Sequence, residues 1–471
     1  MSPHQDHHHH SATSGPATKV QSAAGVEFGY PHGHLGHLNP DEEEAFKNFK
    51  AYLEEQGAYK PGPPPSHDDQ TLLRFLRARR WIVQDAYKQF KETEDWRIAN
   101  QLPLLYDTID VESYEQSRRL YPQWTGRRDR RGIPVYLFEI RHLDSKTIHE
   151  YEKSSNDTYS KATTDGQTPP KLLRLFALYE NLTRFVQPLC TELTDRDNAR
   201  TPITLSTNIV DVSGVSLRQF WNLKGHMQAA SQLATAHYPE TLDRIFILGA
   251  PMFFSTVWGW IKRWFDPITV SKIFILGHHE TKAVLESFID PKNIPKHYGG
   301  ELDFKWGEMP NLDPAIRDLA TWENGYTEFP KGPVYWRYID DGARMECIAV
   351  GSVDQKQRSE RICTIPVAFP EDKAKGANGK PAEPSVEEAS KADETKLEEA
   401  TADIPATEAA ATGETAVVTD GVQEAAVPTV TDPIITETQG VQNLSIADPK
   451  EAEVSEKVIA GKTSEAQPVA A

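Results

Sequence analysis

Cysteine is nearly absent. Cys190, Cys347 and Cys363 are the only three in 471 residues, and they lie at no zinc-ligand spacing. That excludes a disulfide framework and points to a reducing compartment. Long apolar runs are missing too: none approaches the roughly 18 residues a transmembrane helix needs. The N-terminus MSPHQDHHHHSATSG has neither a basic nor an apolar stretch, so no secretory signal is read there. Positive charge is in deficit, with a formal net charge of −18, which argues against a nucleic-acid binder. Aromatic residues and methionine disappear after residue 370. Residues 371–471 hold no Phe, Tyr, Trp, Met or Cys, but 21 acidic and 8 basic residues, a net −13. Such a segment buries too little apolar surface to offset its chain entropy, so 367–471 reads as a disordered acidic tail. Catalytic signatures are lacking as well. There is no G-x-S-x-G, P-loop, G-x-G-x-x-G or H-E-x-x-H. Asp211-Val-Ser213-Gly214 is half a nucleophile elbow without its flanking glycine, and reads as a polar turn at a strand end.

What remains is concentrated in the middle. Residues 41–370 carry 46 acidic and 42 basic residues, a net −4. Residues 1–40 are rich in His, Gly, Ser and Pro and read as a disordered N-terminus, with His7 to His10 as polar tail rather than metal site. Asp41–Glu44 opens a helix bearing Phe46, Phe49, Tyr52 and Leu53, which the prolines 61–65 terminate. Asp68 or Asp69 caps the next helix, QTLLRFLRARR, and a third runs over about 83–100. The period then changes. IPVYLFEI (133–140), ITLSTNIVDV (203–212), RIFILGA (244–250) and SKIFILG (271–277) read as strands. Helical stretches over 171–191, 216–237, 253–265 and 280–289 follow them in alternation. Apolar strands alternating with helices give the fold class α/β, with parallel strand pairs buried by helices.

TLLRFLRARRW (71–81), then YPE (238–240), FFSTVWGWIKRWFDPITVSKIFILG (253–277) and NIPKHYGG (293–300) follow in order. With these motifs, residues 41–305 resemble the CRAL-TRIO lipid-binding family, specifically fungal phosphatidylinositol transfer proteins. The resemblance implies the CRAL-TRIO fold: a helical N-terminal lobe (41–110) and a lipid-binding domain (111–305). In the latter, a mixed, largely parallel sheet floors an apolar pocket closed by a mobile gate helix. Residues 306–366, with Trp306, Trp322, Tyr335 and Trp336, then form a β-rich extension with its own packed core and a surface for a partner.

The resemblance also assigns residues. Arg79, Glu240, Thr269 and Lys272 match the phosphatidylinositol head-group site, with Lys272 and Thr269 near phosphate and Glu240 near Lys272 and the inositol ring. Without the motifs, Glu240 and Lys272 read as an ordinary salt bridge and Arg79 as solvated. A second-lipid pocket falls on Trp124, Tyr136, Ser206 and Asn208. Here the family's tyrosine pair is replaced by Trp124 and Thr125, and its threonine by Asn208. That departure leaves phosphatidylcholine, a sterol or another apolar ligand as the second lipid. Phe253, Phe254, Val257, Trp258, Ile261 and Phe265 make the gate helix and acyl pocket. Gly299 and Gly300 stand as hinge or turn residues. RRDRRG (127–132) carries a local +3 and reads either as a solvated loop or as a contact for anionic membrane.

The physics of a carrier fits such a pocket. A two-chain phospholipid hides thirty-odd methylenes, so exposing them to water costs on the order of 25 kcal/mol. The expectation is therefore a non-enzymatic phospholipid exchanger without cofactor or metal, whose ligand is the phospholipid itself. It would act as a monomer on transient membrane surfaces, cytoplasmic and peripheral on Golgi, endosomal or other internal membranes, with phosphoinositide kinases as possible partners. A lipid sensor or presenter is the alternative, and a lipid hydrolase a third class.

Overall fold

The structure is a computed structural model, and it describes residues 29–262 and 270–376. Three helices open it: α1 (Pro40–Glu55), α2 (Asp69–Ala78) and α3 (Val83–Ala99). Asn39 starts α1 with a capping box: its side chain accepts from the Glu42 N–H while Glu42 accepts from the Asn39 N–H. Asp68 caps α2 by accepting from the Thr71 N–H at 2.8 Å. Phe46, Phe49 and Leu53 of α1 pack with Leu72, Phe75 and Leu76 of α2 and Phe90 of α3 in one apolar core. Two short helices follow, α4 (Leu102–Thr108) and α5 (Val111–Arg118).

The main sheet comes next. Strands β1 (Gln123–Arg128) and β2 (Pro134–Glu139) form an antiparallel pair. After α6 (Ser145–Ser155) runs α7 (Pro170–Asn181), which passes through a π-helical turn (Leu182–Val186) into α8 (Gln187–Thr191). Pro188 lies just beyond that turn and removes one N–H from the helical ladder, so the wider turn falls where the i→i−4 pattern is already broken. Then come β3 (Ser206–Asp211), α9 (Leu217–His237), β4 (Leu242–Leu248), α10 (Phe254–Ile261), β5 (Ile273–Leu276) and α11 (His278–Phe288). Strand order is β1-β2-β3-β4-β5, with β2 to β5 parallel.

The two faces of this sheet differ. One presents Leu137, Ile209, Phe246 and Phe274, fully buried against Val284, Leu285 and Phe288 of α11. The other presents two rows in register. Tyr136, Asn208, Ile245 and Ile273 form the first; Phe138, Val210, Ile247 and Ile275 form the second. Every member of the second row is only half-buried although all four are apolar. Phe220 and Met227 of α9 and Trp258 of α10 pack along this face.

The chain continues with α12 (Pro314–Leu319) and the strands β6 (Thr321–Trp322), β7 (Val334–Ile339), β8 (Arg344–Ala349), β9 (Ser352–Val353), β10 (Lys356–Gln357) and β11 (Glu360–Pro366). The last described element is α13 (Pro370–Gly376). Strands β6, β11, β8 and β7 make a second, antiparallel sheet.

Four expectations change here. Residues 29–39 are not a loose terminus: Tyr30 is buried in the core and donates to the Thr201 carbonyl at 3.0 Å. The tail does not begin at 367, because Ala368 donates to Glu192 and Arg200 pairs with Asp372 at 2.9 Å. The extension has no separate core. Trp336, Met345 and Cys363 share one cluster with Trp124, Phe185 and Leu189, and Trp336 Nε1 donates to the Phe185 carbonyl at 3.1 Å. The basic run 127–131 is not a free cationic loop. Arg128 is buried, bidentate to Asp195 at 2.8 and 2.9 Å and bonded to Asp313 at 3.0 Å. Arg131 bridges Asp129 and Asp243, Arg127 donates to Asn311, and Arg130 donates to the Glu286 carbonyl. These arginines tie the β1–β2 hairpin to its neighbours. Residues 1–28 and 377–471, and the readings that fall on them, lie outside the described residues.

Candidate functional site

Because β2 to β5 are parallel, their starts share one edge of the sheet. Ser206 opens β3, Glu240 stands two residues before β4, and Lys272 immediately precedes β5. The register ties them together: Ser206 pairs with Leu242, and the Ile245 N–H donates to the Lys272 carbonyl at 2.9 Å. Ser206 Oγ donates to the Thr241 carbonyl at 3.1 Å, next to Glu240. Glu240 is buried and has φ +58°, in the left-handed region. A non-glycine residue held there is strained, and such strain clusters at binding sites. No ion pair joins Glu240 to Lys272 among the described residues, so the bland reading of these two as a salt bridge does not hold. Thr269 lies outside the described residues.

Arg79 has a different setting. Its Nε–H donates to Gln89 Oε1 at 2.7 Å, and Gln89 donates in turn to the Thr235 and Ala236 carbonyls. The pair links the end of α2 through α3 to the end of α9, so Arg79 is not merely solvated. Burial lowers its pKa, with Asp85 opposing.

Other charged groups crowd the same edge, and the sequence alone did not single them out. Burial raises the Asp243 pKa, but Arg131, Arg244 and Lys272 outweigh it and hold this carboxylate well below the usual range. Arg244 lies 4.2 Å over the Phe288 ring, and burial followed by repulsion from Arg131 lowers it to about 10. His34 bonds through Nε2 to Thr204 Oγ1 at 3.2 Å, and burial, then Arg77, keep its pKa well below the usual imidazole value. Strand period marks Asp243 and Arg244 only as neighbours in an apolar strand; their roles depend on Arg131, more than a hundred residues away.

The second-lipid set is brought together. Trp124 pairs across the hairpin with Tyr136, Tyr136 with Asn208, and Asn208 Nδ2 donates to Ser206 Oγ at 3.2 Å. Trp124 is buried, its Nε1 donating to the Arg127 carbonyl at 3.0 Å. Trp124 and Tyr136 also line a cavity of about 70 Å³ with Tyr114, Phe185, Met309 and Phe329. Ser206 and Asn208 lie outside that cavity.

Over the apolar face, Phe254 is buried and the rings of Phe253 and Phe254 stand 6.4 and 6.0 Å from Phe220 of α9. Trp258 packs against Leu242, Ile245 and Ile273. Met252, just before α10, is 92% exposed. Phe265 and the side chains of Val257 and Ile261 lie outside what is described. Gly299 has φ +92°, and a Cβ on Gly300 would lie 2.1 Å from the Ile294 carbonyl oxygen. Gly300 therefore answers to a close backbone approach. Among the described residues no helix is long and apolar enough to cross a membrane, and none group as ligands for a metal ion.

The fold is an α/β sheet with one half-buried apolar face beneath a short aromatic helix and buried charge at one edge. The chain is similar to the following known proteins. The family models described as CRAL/TRIO domain and CRAL/TRIO, N-terminal domain match residues 118–300 and 45–92. The SEC14 cytosolic factor of Eremothecium gossypii is 29% identical over 310 residues, covering 66% of this chain and 90% of that protein. The SEC14 cytosolic factor of Kluyveromyces lactis is 30% identical over 300 residues, covering 64% of this chain and 90% of that one. The phosphatidylinositol/phosphatidylcholine transfer protein SFH7 of Arabidopsis thaliana is 30% identical over 239 residues, 50% of this chain and 40% of that one. A crystal structure of Sfh5 aligns with a TM-score of 0.41 at 17% identity, covering 59% of this chain and 95% of that one. The chain belongs to the CRAL/TRIO family.

Proposed function

We propose that this protein is a non-enzymatic phospholipid carrier. It binds phosphatidylinositol with its acyl chains on the half-buried face of the main sheet and exchanges it between membranes for a second lipid. The observation that carries this reading is the row Phe138, Val210, Ile247 and Ile275, apolar and in register yet only half-buried. A globular core would bury such a row completely, whereas a lipid compartment leaves it reachable. α9 and α10 cover the chains, and α10 is the gate. The head group sits at the strand starts, where Lys272 offers a cation to a phosphate diester and Glu240 accepts from inositol hydroxyls, while Arg79 braces the end of α2 beside them through Gln89. The second lipid is phosphatidylcholine, a sterol or another apolar ligand, with Trp124, Tyr136, Ser206 and Asn208 as its pocket. The working compartment is the cytosol, with transient contact to internal membranes through the apolar residues around Met252.

Transfer of labelled phosphatidylinositol between vesicles tests this reading. Lys272→Ala and Glu240→Ala are each expected to lower phosphatidylinositol affinity by about ten- to a hundredfold, the equivalent of one charge-assisted contact at about 1.5–3 kcal/mol. Full transfer by both variants would overturn the head-group assignment. Binding without transfer in the wild type would make the protein a lipid sensor or presenter, and turnover of the lipid would make it a hydrolase.

A further inference from the structure

Residues 29–38 form a strap that precedes both segments matched by the family models. It is fastened at the strand-start edge. Thr201 Oγ1 donates to the Leu35 carbonyl at 3.2 Å, and Arg196 Nη1 donates to Tyr30 Oη at 3.0 Å. His34 meets Thr204, and its ring stands edge-on to Tyr30 at 4.9 Å. From the other side comes Arg77 of α2. Its Nη1 donates to the Gly33 carbonyl at 2.9 Å and its Nη2 to Thr204 Oγ1 at 3.3 Å. Its Nε is buried and has no hydrogen-bond partner. The fit is close. Gly33 has φ +72°, and a Cβ there would lie 3.0 Å from Arg77 Cδ.

Thr204 stands two residues before Ser206, which bonds to Thr241 beside Glu240. Arg77 is therefore clamped at the edge where Glu240 and Lys272 stand. No carboxylate lies within 4.0 Å of its guanidinium among the described residues, and Glu240 is the acid that most supports its charge. A half-buried cation without a contact ion pair carries a desolvation cost, and a buried, unused N–H donor adds to it. Both are relieved by an anion. Arg79, two residues on, is turned to Gln89 instead.

We propose that Arg77, held by the strap 29–38, is a head-group residue that supplies positive charge and an N–H donor to the phosphate diester of the bound lipid. This rests on the reading of the Glu240 and Lys272 edge given above. The strap's part is positioning: Gly33 and Thr204 fix both Nη atoms, and Nε is the one donor without a partner.

The test uses full-length chains loaded from phosphatidylcholine vesicles containing labelled phosphatidylinositol, with thermal melting followed by circular dichroism. Arg77→Gln is expected to lose phosphatidylinositol affinity about tenfold or more, Arg77→Lys to recover part of it, and Gly33→Ala to fall between wild type and Arg77→Gln. If Arg77→Gln melts and binds like wild type while Lys272→Ala is impaired, this inference is overturned and the underlying reading stands. If Lys272→Ala is also unimpaired, both fall. If Arg77→Gln does not fold, Gly33→Ala decides, and wild-type retention of phosphatidylinositol there overturns the proposal. Soluble inositol 1-phosphate distinguishes the source of the anion: displacement of bound lipid by this probe would assign the site to a free phosphate and overturn the lipid assignment.

Discussion

At the scale of single residues, burial decides what a side chain does. Arg77 and Arg79 lie two positions apart near the end of one helix, about 200° apart around its axis, and face different partners. No pattern in LRFLRARR separates them. His226 shows a second consequence. It is buried in α9 with Nε2 bonded to Tyr121 Oη and Nδ1 unpartnered. Burial, then Lys171, lowers its pKa to about 4. The native state therefore stays neutral at His226 while the unfolded chain takes up a proton below its ordinary value near 6.5. Stability contributed by this group is full at neutral pH and is lost as pH falls from about 6.5 towards 4. Between pH 7 and pH 5 the loss amounts to roughly 2 kcal/mol. Urea unfolding at the two values checks this. A His226→Gln chain is expected to lose about one proton from the pH dependence, and an unchanged slope would refute the assignment.

At the scale of elements, a continuous apolar run marks a parallel strand covered on both faces. The apolar runs 133–140, 203–212 and 271–277 contain β2, β3 and β5, and β4 begins two residues before the run 244–250; the four are parallel neighbours. β1 leaves no mark in the sequence, because QWTGRR has neither an apolar run nor apolar alternation. It is a strand because its arginines find acids brought in from distant parts of the chain. That makes the β1–β2 hairpin sensitive to charge removal. Arg128→Ala leaves Asp195 and Asp313 without their shared cation, and is expected to destabilise the fold by about 1.5–3 kcal/mol, chiefly through the more buried Asp313. Its effect on binding to anionic vesicles should be nil, since the guanidinium faces inward. Denaturant midpoints and vesicle sedimentation measure the two. Weaker vesicle binding by a folded Arg128→Ala chain would restore the membrane-contact reading.

At the scale of the whole molecule, charge is divided unevenly. Residues 377–471 hold 19 acidic and 6 basic residues, a net −13 of the total −18. Arg200 with Asp372 and Lys373 with Glu192 anchor α13 to the body, so a truncation that spares the fold must follow Gly376. Such a truncation is expected to leave phosphatidylinositol binding intact. It should strengthen association with anionic vesicles at low salt and have little effect at high salt, where the repulsion is screened. Unchanged association at low salt would show that the acidic segment does not restrain membrane contact. The sequence by itself determined the α/β class, the helical lobe, the apolar strands and the charge imbalance, because periodicity and composition are local properties of a chain. It also carried the family motifs around Glu240 and Lys272. Only the tertiary structure decided that one sheet face stays half-buried, that the strap 29–38 is fastened beside Thr204 and Arg77, that the extension shares the main core and that the basic run turns inward. Each of these depends on contacts between residues far apart in sequence, and burial and ion pairing take their sign from those contacts.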